Sequence, residues 1–234
     1  TSGIGLATAE KFLRDGANVY ILGRSVLRGA LAVQKLLAKT ERTAVYIPCD
    51  VTSVEECRKA MVSIGGAIHI LVNAAGVYME QRLENVTEAD IANIFDTNVK
   101  GTMLLTQASL PFMYGGGSVL NVASDAGISG NYGCPVYCAS KGAVVALTKA
   151  LALDYAPNIR VNCVCPADID TPLLRKQLED SNGGYTMGDM ADAYPLGRIG
   201  TAEEVAHVIC SVASPMNSFM TGSIIAVDGG LTAK

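Results

Sequence analysis

The sequence predicts an α/β fold of the doubly wound kind: a mainly parallel sheet with helices on both faces, in a single domain of residues 1–234. Short apolar runs alternate strictly with helical segments, and the connections between them are short. These runs are apolar throughout, as in parallel strands that are buried on both faces. The chain also contains no internal repeat, linker or low-complexity segment, which favours one domain.

The first elements follow a glycine-rich turn. Thr1 to Gly5 resemble a phosphate-binding turn that leads into a helix over residues 6–15, and Gly16 ends that helix. Such a turn requires a preceding strand. We expect this first strand and the start of the glycine motif to lie before Thr1, because the sheet would otherwise lack an internal strand. A strand over 19–22, a helix over 26–38 and a strand over 44–47 come next.

The later elements continue the alternation. Ser53 with Glu56, and Thr87 with Asp90, have the spacing of helix-starting capping boxes. The second of these helices is expected to run without interruption to residue 112. We predict helices over 53–63, 87–112, 137–155 and 203–213, and strands over 68–72, 118–122, 159–164 and 224–227. A polar, glycine-rich segment over residues 168–195 interrupts the rhythm, and a long loop of this kind is typical of a substrate lid.

Composition excludes several classes of function. Half of the residues are hydrophobic, 17% are charged and the net charge is −4, so nucleic acid is not an expected partner. No apolar run approaches the ~18 residues of a membrane span, and no signal peptide opens the chain. The seven cysteines have no framework spacing, and the two histidines lie beside no cysteine cluster. We therefore expect reduced thiols, a cytoplasmic location and no metal.

Residues with chemical potential recur where the predicted strands end. Ligands of open parallel sheets bind outside the carboxyl ends of the strands. The residues at these positions are Gly23, Arg24, Asp50, Val51, Asn73, Ala74, Ala75, Gly76, Ser124 and residues 166–171. Each could separately be a turn, a helix entry or a surface hydroxyl, but their repeated occurrence at one edge favours a binding site.

The glycine-rich turn and the next strand predict a dinucleotide. The glycines bring the backbone close to a pyrophosphate, and the dipole of the following helix favours its charge. An acidic residue at the end of the next strand would indicate NAD. This strand ends instead at Arg24, with Arg28 one turn later, and a guanidinium pairs well with a 2′-phosphate. NADP is preferred over NAD, with a solvated loop charge as the alternative interpretation of Arg24.

Tyr137 and Lys141 lie four residues apart, so that both occupy one face of a helix. The lysine charge is expected to lower the pKa of the tyrosine, which suits proton transfer to or from an alcohol oxygen near neutral pH. The same spacing also occurs by chance in many helices. The pair therefore gains its meaning from the other motifs.

Taken in order, the motifs resemble the short-chain dehydrogenase/reductase family, in its shorter single-domain branch with a Rossmann-like fold, over essentially the whole chain. The matching stretches are Gly3-Ile4-Gly5, Asp50-Val51, Asn73-Ala74-Ala75-Gly76, Asn98-Val99-Lys100-Gly101, Ser124, Tyr137-x-x-x-Lys141, Val161-Asn162, Thr171-Pro172, Gly197-Arg198-Ile199, Thr221-Gly222 and Val227-Asp228-Gly229-Gly230.

The resemblance implies hydride transfer between a nicotinamide and a small-molecule carbonyl or secondary alcohol, such as a 3-oxoacyl, steroid, sugar or small ketone substrate. It implies a catalytic tetrad: Tyr137 as general acid, Ser124 as orienting hydrogen-bond donor, Lys141 as modulator of the tyrosine and ligand of the ribose, and Asn98 as holder of a relay water. The implied cofactor-binding residues are Ser2, Gly3, Ile4, Gly5, Arg24, Asp50, Val51, Asn73, Ala74, Ala75, Gly76, Tyr137, Lys141, Pro166, Ile169 and Thr171.

The chain departs from the family pattern at two points. Pro166-Ala167 stands where the family usually has Pro-Gly, and alanine does not take a positive φ cheaply. The stretch between Asp50 and Ile68 is about one helical turn short, which reflects either a shorter helix or residues absent from this sequence.

The family commonly forms homotetramers through long helices like those predicted here, and a homodimer is the alternative. Two other functions stay open at this point. One is a non-catalytic NAD(P)-binding regulatory protein, and the other is an epimerase or dehydratase on a related scaffold. Loss of a tetrad member would favour the first, and a large extra substrate region would favour the second.

Overall fold

The structure, a computed structural model, describes residues 1–180 and 184–233. Helices and strands alternate along it as the sequence predicts. In chain order they are α1 (Gly3–Arg14), β1 (Tyr20–Gly23), α2 (Val26–Thr40), β2 (Val45–Pro48), α3 (Val54–Ile64), β3 (Ile70–Asn73), α4 (Glu88–Phe95), α5 (Gly101–Ser109), β4 (Gly117–Val122), α6 (Pro135–Tyr155), β5 (Ile159–Pro166), β6 (Ile169–Asp170), α7 (Pro172–Asp180), α8 (Met187–Ala191), β7 (Gly200–Thr201), α9 (Ala202–Ala213) and β8 (Ile224–Val227).

The strands pair in parallel throughout the described ranges. The central sheet has the order β3-β4-β5-β8, and β1 pairs with β2 in a separate two-stranded sheet. Their registers place Asn73 beside Asn121 and Gly23 beside Pro48, so the carboxyl ends of neighbouring strands lie level. A third parallel pair, β6 with β7, lies after β5.

A cleft separates β1 from β3. It has a volume of about 1040 Å³, and residues 19–25 line it together with residues 66–77. β1 and β3 are not hydrogen-bonded to each other across it. The adjoining helices α1 and α5 contribute Phe12 and Leu105 to the same cleft.

The helix starts follow their capping residues, with one difference from the prediction. Thr87 and Asp90 form the complete reciprocal capping box. Ser53 accepts from the amide of Glu56, but the Glu56 carboxylate accepts from the amide of Asp50 instead of Ser53. Only half of the predicted Ser53–Glu56 box therefore forms, because the Glu56 carboxylate stabilises the loop after β2.

The prediction of one uninterrupted helix over 87–112 is wrong in its centre. A π-helical turn, Asp96–Lys100, joins α4 to α5, and a 3₁₀ turn, Leu110–Phe112, follows α5. A π-turn widens the helix locally and is common at functional sites. Here it contains Asn98, a predicted tetrad residue.

The segment 168–195 is more ordered than predicted. It contains β6, α7 and α8, and Thr186 with Asp189 forms a reciprocal capping box for α8. The predicted lid also includes residues 181–183, which lie outside the described residues. The sequence pattern does not reveal β6 because a two-residue strand is too short for periodicity to detect.

Helix α6 is more apolar than we expect from a sequence without an apolar run of the ~18 residues that span a membrane. It has 21 residues and a window of mean hydropathy 1.4, and within the described ranges it is the helix with the length and composition of a membrane span. Its buried side chains include Val144, Thr148 and Ala152, and the helix packs along β5. This packing accounts for the buried part of the window, which is 33%.

Candidate active site

A cavity of about 390 Å³ opens at the carboxyl ends of β4 and β5. It is contiguous with the cleft between β1 and β3, since Ser2, Gly5, Ala74 and Gly76 line both. The predicted site residues that line the cavity are Ser2, Gly3, Ile4, Gly5, Ala74, Gly76, Ser124, Tyr137, Lys141, Pro166, Ile169 and Thr171. Those that line only the cleft are Arg24, Asp50, Val51, Asn73 and Ala75.

Tyr137 projects from the first turns of α6 into the cavity. Its ring packs edge-on against Tyr78, with 4.9 Å between the ring centroids. Burial raises the pKa of Tyr137, and a hydrogen bond with Ser124 only partly offsets that effect. The prediction of a lowered pKa is therefore wrong for this structure, because desolvation of the phenolate outweighs the nearby lysine charge.

Lys141 lies one turn further along α6 and is buried. Its Nζ stands 5.7 Å from the centroid of the Tyr137 ring and donates to the Val122 carbonyl at 3.0 Å. Burial lowers the pKa of Lys141 to about 8. The ammonium also lies beside Gly76, where an added Cβ would come within 3.5 Å of Nζ. A glycine at this position leaves the ammonium open to the cavity.

Ser124 begins the 3₁₀ turn after β4 and is buried. Its hydroxyl donates to Oδ1 of Asp125 at 2.7 Å and accepts from the Ala126 amide at 3.2 Å. The other carboxylate oxygen of Asp125 accepts from Nδ2 of Asn131 at 3.1 Å. Asp125 therefore fixes the orientation of the serine, a role that the sequence did not predict.

Asn98 is buried in the π-turn. Its side chain makes two hydrogen bonds with the backbone of Val77. Oδ1 accepts from the Val77 N–H at 2.8 Å, and Nδ2 donates to the Val77 carbonyl at 3.0 Å. Its Nδ2 also donates to Ser140 Oγ, and that hydroxyl donates to the carbonyl of Tyr137. Asn98 thus joins the loop after β3 to α6, and its side chain is occupied by these contacts.

The glycine-rich turn forms the junction between cavity and cleft. Gly3 has a φ of +51°, and an added Cβ would lie 3.2 Å from Cγ2 of Thr171. Ser2 is the N-cap of α1 but makes no side-chain capping bond, and the first turn contains no acidic residue. The N-terminal amides of α1 therefore remain available to an anion, and this cradle fits a pyrophosphate.

The end of β1 carries positive charge. Arg24 and Arg28 are exposed and form no ion pair with any residue in the ranges 1–180 and 184–233. Arg24 is close enough to help lower the pKa of Asp50, although the largest cause is a hydrogen bond from the Thr52 amide. The Asp50 carboxylate also accepts from the Thr52 hydroxyl, so it organises the turn before α3.

Asn73 does not present its side-chain nitrogen to the cleft. Its Nδ2 donates to the hydroxyl of Thr106 and to Oδ1 of Asn121, and Asn121 donates in turn to Thr148. All four side chains are buried. Asn73 therefore supports the sheet beneath the site, and the sequence did not distinguish this role from direct cofactor contact.

The departure at Pro166-Ala167 causes no backbone strain. Within the described ranges Glu41 is the residue other than glycine with a positive φ, so Ala167 keeps an ordinary backbone conformation. Its amide donates to the Val227 carbonyl at the end of β8. Ile169 is buried, and Thr171 packs against Gly3.

Further side chains form the cavity wall and were not singled out as site residues. Glu80 accepts from the hydroxyls of Tyr78 and Tyr185, and Gln177 donates to Tyr185 at 2.8 Å. Asp168 accepts from the hydroxyl of Tyr194 at 2.7 Å, and burial raises the pKa of Asp168. Asp168 lies among the predicted strand-end residues 166–171, so its position in the sequence could have identified it as a site residue.

Comparison with known proteins decides the family. A family profile described as enoyl-(acyl carrier protein) reductase matches residues 1–232. The chain belongs to the short-chain dehydrogenase/reductase family. This family membership makes it an oxidoreductase that acts on CH–OH or C=O groups. It is 36% identical over 235 residues to a 3-oxoacyl-[acyl-carrier-protein] reductase of Thermotoga maritima, with 98% of this chain and 94% of that protein covered.

Solved structures of other short-chain dehydrogenases/reductases have the same fold. The aldohexose dehydrogenase of Thermoplasma acidophilum superposes with a TM-score of 0.89 at 33% identity, covering 100% of this chain and 91% of that one. An actinorhodin polyketide ketoreductase variant with NADPH gives 0.93 at 27% identity, covering 100% and 94%. The predicted Rossmann-like parallel sheet flanked by helices is confirmed.

Proposed function

We propose that this protein transfers a hydride between NADP(H) and an uncharged carbonyl or secondary alcohol substrate. One observation carries the proposal. Tyr137, Ser124 and Lys141 converge on a cavity that is contiguous with the carboxyl-end edge of the cleft, where the predicted cofactor residues lie. An NADPH-bound relative of the same fold supports the choice of cofactor class.

The cofactor would lie across the carboxyl ends of β1, β2 and β3, at the edge of the cleft, and extend into the cavity. Its pyrophosphate would meet the amides of residues 2–5, and the nicotinamide would lie near Ile169 and Thr171. Asp50, Val51 and residues 73–76 would flank the adenosine, with Asn73 acting through the backbone. When bound, the cofactor supplies or accepts the hydride.

The protein's own groups then handle the substrate oxygen. The hydroxyl of Tyr137 would donate a proton to the oxygen that becomes an alcohol, and Ser124 would hydrogen-bond to the same oxygen. In this structure the Ser124 hydroxyl donates to Asp125 at 2.7 Å, so its proton would turn from Asp125 to the substrate oxygen when Ser124 donates there. Lys141 would place positive charge under the tyrosine and bind ribose hydroxyls, and Asn98 would fix α6 against the loop after β3.

The two arginines support NADP over NAD. Arg24 and Arg28 lie beside the cleft and form no ion pair within the described ranges. The 2′-phosphate of NADP is an anion that can accept two parallel hydrogen bonds from a guanidinium group.

The cavity lining favours an uncharged substrate. Its described residues include three carboxylates, Glu80, Asp125 and Asp168, and one cationic group, Lys141. None of the carboxylates forms an ion pair with a described residue. A substrate carboxylate or phosphate would be repelled here, whereas hydroxyl groups can donate to these oxygens. Of the predicted substrate classes, sugars carry the most hydroxyl groups that can donate to these carboxylates.

The test is a substrate panel assayed with NADPH and NADH at the absorbance band of the reduced cofactor. The panel pairs uncharged ketones and aldoses with carboxylate analogues of similar size, and it includes a 3-oxoacyl thioester. We expect turnover of uncharged members at a higher kcat/KM than that of their acid partners. The absence of turnover for every member with both cofactors would contradict the proposed function.

We also propose a homotetramer in the cytoplasm. All seven cysteines are free thiols, which suits a reducing compartment. The apolar side chains of Met103 on α5 and Leu153 on α6 are exposed, and they offer a subunit contact on the helices where the family pairs.

A further inference from the structure

Six of the seven cysteines have another cysteine as a neighbour, in the pairs Cys49–Cys57, Cys134–Cys138 and Cys163–Cys165. Cys134 and Cys138 have their sulfur atoms 3.8 Å apart, and Cys163 and Cys165 show the same separation. The two pairs differ in their surroundings. Cys163 and Cys165 are fully buried within β5, whereas Cys134 lines the active-site cavity and Cys138 is partly exposed.

Cys134 and Cys138 flank Tyr137 at the start of α6. Cys134 is the N-cap residue of the helix, and Cys138 directly follows Tyr137. Both thiols contact the carbonyl of Asn131, at 3.7 and 3.9 Å, and the Asn131 amide donates to Cys138 Sγ at 3.4 Å. The two sulfur atoms therefore hold the Asn131 loop against the helix.

A short chain of contacts leads from this loop to Ser124. The side chain of Asn131 donates to Asp125, and Asp125 accepts from the serine hydroxyl. A disulfide between the two sulfur atoms would act on both catalytic hydroxyls. It would move Tyr137 through the first turn of α6, and it would move Ser124 through Asn131 and Asp125.

We propose that Cys134 and Cys138 form an oxidation site at which a hydroperoxide converts the two thiols to an intramolecular disulfide. This bond inactivates the enzyme because it displaces Tyr137 and Ser124. The site takes a chemical class of ligand, the hydroperoxides, that is distinct from the carbonyl substrate.

The chemistry has two steps and balances. The Cys138 thiolate attacks one peroxide oxygen: an S–O bond forms, the O–O bond breaks, and an alcohol or water leaves with a proton. The Cys134 sulfur then attacks the sulfenic sulfur: the S–S bond forms, the S–O bond breaks, and water leaves with the second thiol proton. Two thiols are oxidised by two electrons, and one hydroperoxide is reduced.

The order of the steps follows from exposure. Cys138 is accessible to a reagent, so it reacts first. Burial, with a contribution from Cys138, raises the pKa of Cys134 to about 12. Cys134 therefore stays a thiol until its neighbour has been oxidised, and it then acts as the resolving partner.

Closing the bond must move the protein. Helical residues four apart have Cβ atoms about 5–6 Å apart, whereas a disulfide requires about 3.5–4.5 Å. Cys134 can supply the shift because its N-cap backbone, with φ −137° and ψ 49°, is not helical. The shift displaces Tyr137, which lines the cavity and lies three residues after Cys134 and one before Cys138.

The experiment treats the folded enzyme with hydrogen peroxide, blocks free thiols with an alkylating reagent after unfolding, and maps peptides by mass spectrometry. We expect a Cys134–Cys138 disulfide, about a hundredfold loss of kcat/KM, and full recovery with dithiothreitol. Cys163 and Cys165 in the same sample are the internal control, and both should carry the alkyl group. The mass readout does not depend on the proposed function, so a chemical failure is separable from a lack of substrate.

The variant Cys138→Ser should keep its initial activity and resist peroxide. Circular dichroism verifies its fold, and Cys138→Ala replaces it should the serine variant unfold. The proposal is overturned if peroxide leaves the pair reduced, if the disulfide forms without loss of activity, or if Cys138→Ser is inactivated as fast as the original enzyme.

Discussion

At the level of single residues, burial sets the chemistry of the Tyr137–Lys141 pair. It favours the neutral phenol and lowers the pKa of the lysine to about 8, which still leaves the ammonium mostly charged at neutral pH. A protonated tyrosine is the form that donates a proton in carbonyl reduction. The sequence identified the two residues and their spacing. It could not show the balance between desolvation and charge, because that balance depends on how deeply α6 is packed.

Replacing Tyr137 with phenylalanine should lower kcat by about 10²–10⁴-fold, because the variant retains the ring packing on Tyr78 but has no proton to donate. The affinity for NADPH, measured by fluorescence titration, should stay within a few-fold of the original. Near-normal turnover by this variant would remove Tyr137 from the proposed mechanism.

Lys141 should make stability depend on pH. Its folded pKa of about 8 lies below the ordinary 10.5, so the unfolded chain binds more protons between these values and the folded state gains stability as the pH rises. The Lys141→Met variant lacks the titrating ammonium group. Between pH 7.5 and 9.5 the unfolding free energy of the original protein should rise by about 2 kcal/mol relative to the variant.

Urea unfolding at several pH values measures this difference. Tyr137 contributes the opposite sign only above its ordinary pKa of 10, since burial raises its folded pKa, and the chosen range avoids it. Parallel curves for the two proteins across the range would show that Lys141 is not desolvated.

Arg24→Asp should reverse the choice of nicotinamide. The carboxylate would repel the 2′-phosphate and accept hydrogen bonds from ribose hydroxyls, so the ratio of kcat/KM for NADPH over NADH should fall by at least about tenfold. Arg14→Asp is a control with the same charge change on α1, outside both the cavity and the cleft. If the ratio of kcat/KM for NADPH over NADH is the same in Arg24→Asp and the original enzyme, Arg24 does not select the cofactor and is only a solvated loop charge.

At the level of elements, the site depends on two backbones in close contact. A Cβ added to Gly127, in the turn after Ser124, would lie 2.7 Å from the backbone carbon and oxygen of Lys141. The turn that carries Ser124 and the helix that carries Tyr137 therefore touch without an intervening side chain. This contact sets the relative positions of the catalytic hydroxyls.

Gly127→Ala should push the turn away from α6. We expect a loss of about 1–3 kcal/mol in stability and up to about a hundredfold in kcat/KM. Gly130→Ala is the matched control, because an added Cβ there meets no atom within 4 Å. Its stability should change by less than about 0.5 kcal/mol. Equal activity of the two variants would contradict the positioning role of this contact.

The elements also show where sequence patterns are informative. Alternation of apolar runs and capping residues such as Thr87 predicted the order of the elements, because period and capping are local properties. The π-turn at Asn98 was not predicted, since its geometry comes from tertiary contacts with Val77 and Ser140. Asn73 was correctly placed at a strand end, but only packing shows that its nitrogen points into the sheet.

At the level of the whole molecule, the site lies where separate parts of the fold meet. The cleft follows β1 and β3, and the cavity follows β4, β5 and the 168–195 segment, with the glycine turn between them. Dinucleotide and substrate would therefore approach each other from two directions. The topology of the parallel sheet makes this arrangement predictable, whereas the acidic character of the cavity wall depends on long-range contacts such as Asp168 with Tyr194.

The assembly should respond to a charge on the exposed face of α6. Leu153 is 83% exposed, and Leu153→Arg should convert the proposed tetramer to smaller species in sedimentation equilibrium. Leu83→Arg is the control, since Leu83 is 65% exposed on the 3₁₀ turn between β3 and α4. A tetramer in both variants, or a monomer in the original protein, would contradict the proposed interface.

The buried hydrogen bonds of Asn73, Thr106, Asn121 and Thr148 have a consequence for chemical ageing. Asn121 donates to Thr148, whose hydroxyl already donates to the Val144 carbonyl. Hydrolysis of the Asn121 amide would leave a carboxylate that can only accept, and the threonine could satisfy it only by releasing Val144. Packing that excludes water from this amide therefore also protects the enzyme, over its lifetime, from a slow conversion that its core could not accommodate.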